Sequence, residues 1–517
     1  TLSELVVWVQ KIPGQMPSEI EEMAQSIVNE FLRTAERLTN LGLSYLSLDR
    51  AGSTLSNGEL QRVQISRAVR SDTTGVLYVL DEPSIGLHPY NVDGLMKIVR
   101  ELVDRKNSVV LVDHDPRILM DADQLIEIGP GAGKEGGRIV TQGTPLEAEK
   151  NPHSLIGPYL SGKESLKVRS RATEKDMFEN GSIRIKTKPF YTVKALDVSI
   201  PKGRMIAVTG VSGSGKTSLV IECLVPALQA VIQGTKLPEH VDSIEAKGIQ
   251  SVKVIDSKPI GANVRSTVAT YDGVFDDLRK LFARTADAKA KGLTAGDFSY
   301  NTGKLRCPVC DGTGIITMDV QFLPDVDTIC PSCGGSRYGK DAYDILWKSK
   351  EKDSVSVSLP GLLKLTVEEA AGILHEETKI AKQLKILQDL GVCYLTLGEA
   401  TPALSGGEAQ RLKLAYEMET PQQGSVFVFD EPTIGLHPQD VKKLVLIFDH
   451  LIQLGATVIV IEHDLELVTN CDYIIDMGPW GGTEGGRVVV EGTPEAVAAT
   501  SESITGRYLK QELAEDK

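Results

Sequence analysis

LSGGEAQR at residues 404 to 411, FDEPTIGLHP at 429 to 438 and IEHD at 461 to 464 form one ordered set of landmarks, and the chain carries the set twice. The earlier copy reads LSNGELQR at 55 to 62, LDEPSIGLHP at 80 to 89 and VDHD at 112 to 115. Leu404 follows Leu55, Phe429 follows Leu80 and Ile461 follows Val112 by the same 349 positions, so the copies align without a gap. Working outward from the first copy, the pattern predicts a helix after Leu55, a buried strand ending at Asp81, a helix through about Val103 and a second buried strand at 108–112. This alternation implies an α/β fold whose parallel sheet carries helices on its faces.

One copy has something the other lacks. GVSGSGKT at 210 to 217 fits the phosphate-binding loop pattern, and it follows the apolar strand MIAVTG and precedes a helix, the context such a loop requires. The counterpart of Gly210 would fall before residue 1, so the first copy has no phosphate loop in this sequence. A truncation, or one half of a split protein, is the expectation. Residues 1–160 then hold the C-terminal part of a first ATPase domain, 161–182 a charged linker, and 183–517 a second domain with an insertion at about 285–385.

Backbone N–H groups at the start of the helix after the loop favour anions, since the helix dipole adds to their exposed donors. Gly210, Ser212, Gly213, Ser214, Gly215, Lys216, Thr217 and Ser218 are the candidate nucleotide-binding residues, with Lys216 on the outer phosphates and Thr217 on Mg²⁺. Asp430 ends the strand SVFVF, where it can hold the magnesium. Glu431 can polarise the attacking water, and His463 can read the terminal phosphate. Ser405 with Glu408, and Ser56 with Glu59, are capping boxes that open helices beside glycine and so make a second kind of anion site. Such a site needs phosphate from elsewhere, so the two cores are expected to face each other.

In order and type these residues resemble the ABC-type ATPases. The resemblance implies two tandem ABC-type nucleotide-binding domains, parallel-sheet P-loop cores with helical signature subdomains, and two composite sites. The phosphate loop, Asp430, Glu431 and His463 would be completed by Ser56, Asn57 and Gly58. Asp81, Glu82 and His114 would pair with Ser405, Gly406 and Gly407, without a phosphate loop.

Seven cysteines include Cys307 with Cys310 and Cys330 with Cys333, two Cys-x-x-Cys pairs that read as a closed structural zinc site in a reducing, cytoplasmic compartment. An alternating stretch between the pairs suits a short hairpin. Cys223, Cys393 and Cys471 stand alone and are expected as small buried hydrophobes. The formal charge of −14 means that any nucleic-acid contact must come from a local basic patch. No apolar run approaches the roughly 20 residues that span a bilayer.

PIGANVRSTVATYDGVFDDLRKLFA at 259 to 283, FSYNTGKLRCPVC at 298 to 310, FLPDV at 322 to 326 and CGGSRY at 333 to 338 extend the likeness. With the zinc spacing and both DEPxIGLHP strings, they make the chain similar to the UvrA family, the lesion-sensing ATPases of bacterial nucleotide excision repair. That resemblance implies ATP, Mg²⁺ and one structural Zn²⁺ as cofactors. It also implies damaged double-stranded DNA as ligand, a homodimer, a UvrB-like helicase partner whose binding region lies outside this sequence, and no membrane. Lys304, Arg306 and Arg337 are the implied DNA-contacting cations. Three positions depart from the family pattern. Asn57 stands in LSNGE for glycine, Ser257 replaces the glutamine that reports on magnesium, and Thr317 takes the place of a common lysine. These departures motivate an alternative, a UvrA-like drug-tolerance ATPase that clears DNA-bound antibiotic without excision. A transporter subunit and a non-hydrolysing structural protein are further rivals, the first disfavoured by the inserted cysteine module.

Overall fold

The computed structural model describes residues 1–55, 57–69, 73–131, 136–164, 167–261, 263–318, 326–349, 355–418 and 422–515. It divides into two compact units, Thr1–Asp256 with Gln422–Lys517, and Ser257–Pro421.

The first unit begins with helices Leu2–Val9 and Glu21–Asn40. The first landmark copy follows, with helix Asn57–Val69, strand β1 (Leu77–Asp81), helix Pro89–Asp104 and strand β2 (Ser108–Val112). Strands β3 (Leu125–Gly129) and β4 (Arg138–Gly143) close that copy as an antiparallel pair. β1 and β2 run parallel in register, Leu77 opposite Ser108 and Asp81 opposite Val112. Both strands were expected to be buried, and they are not: Leu77, Val79, Val110 and Val112 are exposed. Among the described residues β1 pairs with β2 and neither pairs with β3, so only the sheet face under helix Pro89–Asp104 is covered. Leu95, Ile98 and Leu102 of that helix pack there with Leu41 and Leu43.

In the second copy the same strands are enclosed. Strands β5 (Ser182–Thr187), β6 (Asp197–Pro201) and β8 (Val241–Glu245) form an antiparallel sheet in the order β6-β5-β8. Strands β7 (Met205–Thr209) and β9 (Ser251–Ile255) belong to the main sheet.

The second unit contains hairpin β10 (Ile315–Met318) with β11 (Val326–Ile329), as the alternation between the cysteine pairs predicts. A second antiparallel pair joins β12 (Leu346–Lys348) and β13 (Ser356–Ser358). The stretch from Thr366 to Leu390 forms two helices, Val367–Ile373 and Thr378–Asp389. Phe282, Phe298, Tyr300 and Tyr338 are fully buried large side chains of this unit's core. The second signature helix, Gly406–Met418, belongs to the same unit. Cys393 is half-buried here rather than enclosed, whereas Cys223 and Cys471 are buried.

Back in the first unit, β14 (Ser425–Asp430), β15 (Thr457–Ile461), β16 (Tyr473–Gly478) and β17 (Arg487–Gly492) complete a six-stranded sheet in the order β17-β16-β7-β15-β14-β9. Only the β16–β17 pair is antiparallel. MIAVT and TVIVI are apolar without alternation because a central parallel strand is covered on both faces. Ile206, Val208, Val428, Ile459 and Ile475 lie within one core cluster, where truncation to alanine costs about 2–5 kcal/mol each. The β7 slot between β15 and β16 is what carries the phosphate loop out of the sheet. Among the described residues no helix is long and apolar enough to cross a membrane.

Candidate functional site: a composite nucleotide site and a four-cysteine cluster

At the end of β7 the chain turns at Gly210, whose φ of +126° and 2.0 Å approach of a would-be Cβ to the Met477 carbonyl oxygen admit only glycine. Gly213 has φ +75° and lies against a residue of the first copy: a Cβ there would come within 2.5 Å of the Tyr45 ring. Lys216 folds over the loop, its Nζ donating to the carbonyls of Gly210 (2.8 Å) and Val211 (3.0 Å). Burial lowers its pKa to about 8, against the pull of Glu431, Asp476 and Asp430. Ser212 Oγ and Ser214 Oγ are buried without a hydrogen-bond partner, while Thr217 is exposed at the helix start. A glycine cradle, an enclosed lysine and two unsatisfied hydroxyls fit a phosphate chain.

Asp430 ends β14, and Glu431 follows with φ +49°, its N–H donating to the Ile461 carbonyl at 2.9 Å. Such a φ is uncommon outside glycine and turns the side chain off the strand direction. Glu431 Oε1 lies 3.9 Å from Nε2 of the buried His463. Desolvation first, and the Asp430 charge second, push the Glu431 carboxyl up to about 7. Burial drives His463 well below its ordinary value, with Lys216 adding to the effect.

The first copy repeats this geometry. Glu82 has φ +45° and donates its N–H to Val112 O at 2.7 Å, and its Oε1 is 4.0 Å from His114 Nε2. Desolvation also raises Glu82. His114 differs from its counterpart by being substantially exposed. The two DEPxIGLHP loops face one another across a cavity of 360 Å³ lined by Glu82, His114, Glu431, His463, Glu466 and Glu512, among others.

Ser56 and the Asn57 side chain lie outside the described residues. Gly58 sits against the loop of its own copy, a Cβ there being 3.3 Å from Ile85 O. Three residues near the first signature were not singled out from sequence. Tyr45 donates to Glu59 Oε1 at 2.5 Å while its ring packs on Gly213. Arg62 is buried with Nε unpartnered, and its charge acts on Lys216, Glu431 and His463. His88 is fully buried beside His463. A signal did exist for each: Tyr394, Arg411 and His437 repeat them 349 positions on.

In the second unit, Ser405 and Glu408 form the expected capping box, Glu408 N to Ser405 Oγ at 3.3 Å and Ser405 N to Glu408 Oε2 at 2.7 Å. Tyr394 holds Glu408 at 2.7 Å as Tyr45 holds Glu59. Ser257 lies against this signature, its carbonyl oxygen 3.2 Å from a Cβ built on Gly406. Gly407 is the second residue of the same helix, Gly406–Met418.

The sulfurs of Cys307, Cys310, Cys330 and Cys333 all lie within 4.8 Å of one another, Cys307–Cys330 at 4.0 Å and Cys310–Cys333 at 3.7 Å. A tetrahedral metal with ~2.3 Å thiolate bonds sets sulfur edges of ~3.8 Å, so the cluster is of the kind that holds zinc. Lys304 is exposed, with Nζ 3.4 Å from Asp297. Arg306 is half-exposed and pairs with Asp311 at 3.1 Å. Arg337 is buried: it donates to the Val264 carbonyl at 2.9 Å and lies over the Tyr300 ring. Thr317 bonds Asp327 across the hairpin at 2.6 Å.

No family model matches the chain. Among curated proteins it is 44% identical over 509 residues to UvrABC system protein A of Staphylococcus aureus (strain COL), a match covering 96% of this chain. This chain belongs to the UvrA family. UvrABC system protein A of Aquifex aeolicus is 43% identical over 498 residues, again 96% of this chain. The crystal structure of UvrA2 from Deinococcus radiodurans superposes with a TM-score of 0.89 at 37% identity, covering 99% of this chain and 62% of that one. The UvrA family chain described here spans about half the length of the curated relatives it matches, 52% and 53% for the two named.

Proposed function

We propose that this chain is the ATP-hydrolysing, DNA-damage-recognising subunit of a nucleotide excision repair system, acting on duplex DNA as a homodimer with a UvrB-like partner. The observation that carries the reading is the composite site of the first unit. The phosphate loop, Glu431 and His463 of the second copy meet Tyr45, Arg62 and Gly86 of the first. A nucleotide held there touches both copies, so its hydrolysis can change how they fit together.

Lys216 leaves its two carbonyl partners for the outer phosphates, and Ser212 and Ser214 donate their unsatisfied hydroxyls. Thr217 and Asp430 are the residues that would hold Mg²⁺, which supplies charge neutralisation on the phosphates. A cation at Asp430 also favours the Glu431 carboxylate over its neutral form, readying it to accept a water proton. His463 stays neutral in its buried seat and can donate or accept one hydrogen bond at the terminal phosphate.

The four-cysteine cluster is read as zinc, which would order a module presenting Lys304 and Arg306 to the DNA backbone. Lesion sensing then rests on duplex deformability, because one surface must accept chemically unrelated damage. Equilibrium binding to one duplex with and without a bulky lesion, in ATP at two salt concentrations, tests the proposal. Lesion preference with affinity falling as salt rises supports it. Equal or absent binding by folded, zinc-loaded protein rejects it and favours the drug-tolerance reading.

A further inference from the structure

We propose that His88, acting with Thr505, is a positioning residue for the nucleotide site: it sets the ring plane of His463 and ties it to the strand that carries the phosphate loop. The inference rests on the nucleotide-site reading above.

His88 caps helix Pro89–Asp104, its Nδ1 accepting from the Tyr90 N–H at 3.2 Å. Accepting at Nδ1 leaves the proton of the neutral imidazole on Nε2. Burial holds the ring in that neutral form. Nε2 lies 3.1 Å from Thr505 Oγ1, so it donates there, and the threonine hydroxyl donates in turn to Asp476 Oδ1 at 2.6 Å. The same Asp476 oxygen accepts from Thr209 Oγ1 at 2.8 Å, and the other accepts from Ser503 Oγ at 2.6 Å. Thr209 is the last residue of β7 and immediately precedes Gly210. One continuous buried chain of hydrogen bonds therefore runs from His88 to the root of the phosphate loop.

The other side of His88 meets His463. The two rings are perpendicular with centroids 5.7 Å apart, and Tyr508 packs edge-on against His88 at 5.9 Å. His463 Nδ1 has no hydrogen-bond partner, so the ring lacks the second-nitrogen contact that usually fixes an imidazole. Packing against an immobilised His88 supplies that constraint instead.

The comparison with the other copy separates this arrangement from ordinary helix capping. His437 also caps its helix, with Nδ1 accepting from Gln439 N–H at 3.2 Å, and it meets Tyr159 as His88 meets Tyr508. Yet the residue 349 positions before Thr505 is Ile156, which has no hydroxyl, and His437 Nε2 is buried without a partner. The hydrogen-bonded chain is built beside the phosphate loop of 210–217, and among the described residues His437 has no counterpart to it.

The test uses the full chain with Thr505→Val, Thr505→Ser and His88→Asn. Valine keeps the shape of threonine without its hydroxyl, serine restores the hydroxyl, and asparagine keeps a capping acceptor for Tyr90 while removing the ring. Two readouts are taken: ATP turnover, and the imidazole ¹⁵N and ¹³C resonances of selectively labelled histidine in nucleotide-free protein. The expected result is a kcat lowered on the order of tenfold in Thr505→Val and His88→Asn with KM little changed, and recovery in Thr505→Ser. The His463 ring resonances move in Thr505→Val and return in Thr505→Ser. Unmoved His463 resonances in both the valine and asparagine variants overturn the proposal, whatever the turnover. If the wild-type protein hydrolyses no ATP, the nucleotide-site reading falls, while the resonances still decide the positioning role.

Discussion

Gly86 and Glu431 are in contact across the two sequence copies: a Cβ on Gly86 would lie 2.9 Å from Glu431 Oε2 and 3.2 Å from Oε1. The relation is reciprocal, since a Cβ on Gly435 would lie 3.1 Å from Glu82 Oε1. Each glutamate is thus shaped by a glycine of the opposite copy. Gly86 also has φ +63°, where a side chain costs about 1–2 kcal/mol in addition to the clash. Gly86→Ala is expected to lower ATP turnover by about tenfold or more while leaving nucleotide affinity within about twofold. Phosphate release and nucleotide titration of the same sample measure both.

Glu431→Gln keeps the shape of the side chain and removes the base. Turnover is expected to fall by ~100-fold or more with ATP still bound. Glu82→Gln, away from the phosphate loop at 210–217, is expected to change turnover far less. Retained hydrolysis in Glu431→Gln would remove that residue from the chemistry.

Glu466 faces the cavity between the two loops, where desolvation first, then Asp464 and Glu512, push its carboxyl up to about 9 from an ordinary 4.5. Above pH 4.5 the unfolded chain ionises this group while the folded chain holds it neutral. Stability linked to Glu466 is therefore full below about pH 4.5 and is lost as the pH climbs toward 9. Glu466→Gln cannot ionise, so its Tm relative to the wild type is expected to rise between pH 5.5 and 8.5. Thermal melts at those two pH values decide the matter, and a gap that shrinks with pH would contradict the assignment.

Arg337 and Lys304 are both basic and both flank the cysteine pairs, but only Lys304 is exposed. Arg337→Ala is expected to destabilise the second unit by about 2–4 kcal/mol, because the Val264 carbonyl and the Tyr300 ring lose their partner. Lys304→Ala is expected to leave the melt unchanged and to reduce the salt dependence of DNA affinity by about one phosphate contact. Denaturant melts and salt titrations of both variants separate the roles.

Removing the metal from the cysteine cluster is expected to release one zinc per chain and to unfold the hairpin β10–β11 with its flanking turns. Four ionised thiolates spaced as these sulfurs are, at 3.7–4.0 Å, would repel one another without a cation to offset their charge. Metal analysis before and after chelation, with circular dichroism, follows both events. Cys330→Ser should reproduce the loss without chelator.

Much of the molecule was legible in the sequence because its signals are local. A glycine pattern between strand and helix defines the phosphate loop, two Cys-x-x-Cys turns define a metal cluster, and a constant spacing of 349 residues reveals the duplication. Arg337 shows where local reading fails. A basic residue beside a metal cluster reads as a surface charge, and only the packing of Val264 and Tyr300 around it turns it inward. The exposed faces of β1 and β2 are another case, since burial of an apolar strand depends on which strands and helices lie beside it.

The sequence by itself determined the motifs, their order and their duplication, because phosphate cradles, acidic strand ends and thiolate pairs each need particular residues at short spacings. Only the tertiary structure decided that Tyr45 seats on Gly213, that Gly86 meets Glu431, and that His88 is joined to Thr209 through Thr505 and Asp476. Those contacts join residues up to 417 positions apart, as His88 and Thr505 are, and no local pattern encodes them. They arise from which surfaces of the two copies bury together, a property of the whole packed unit.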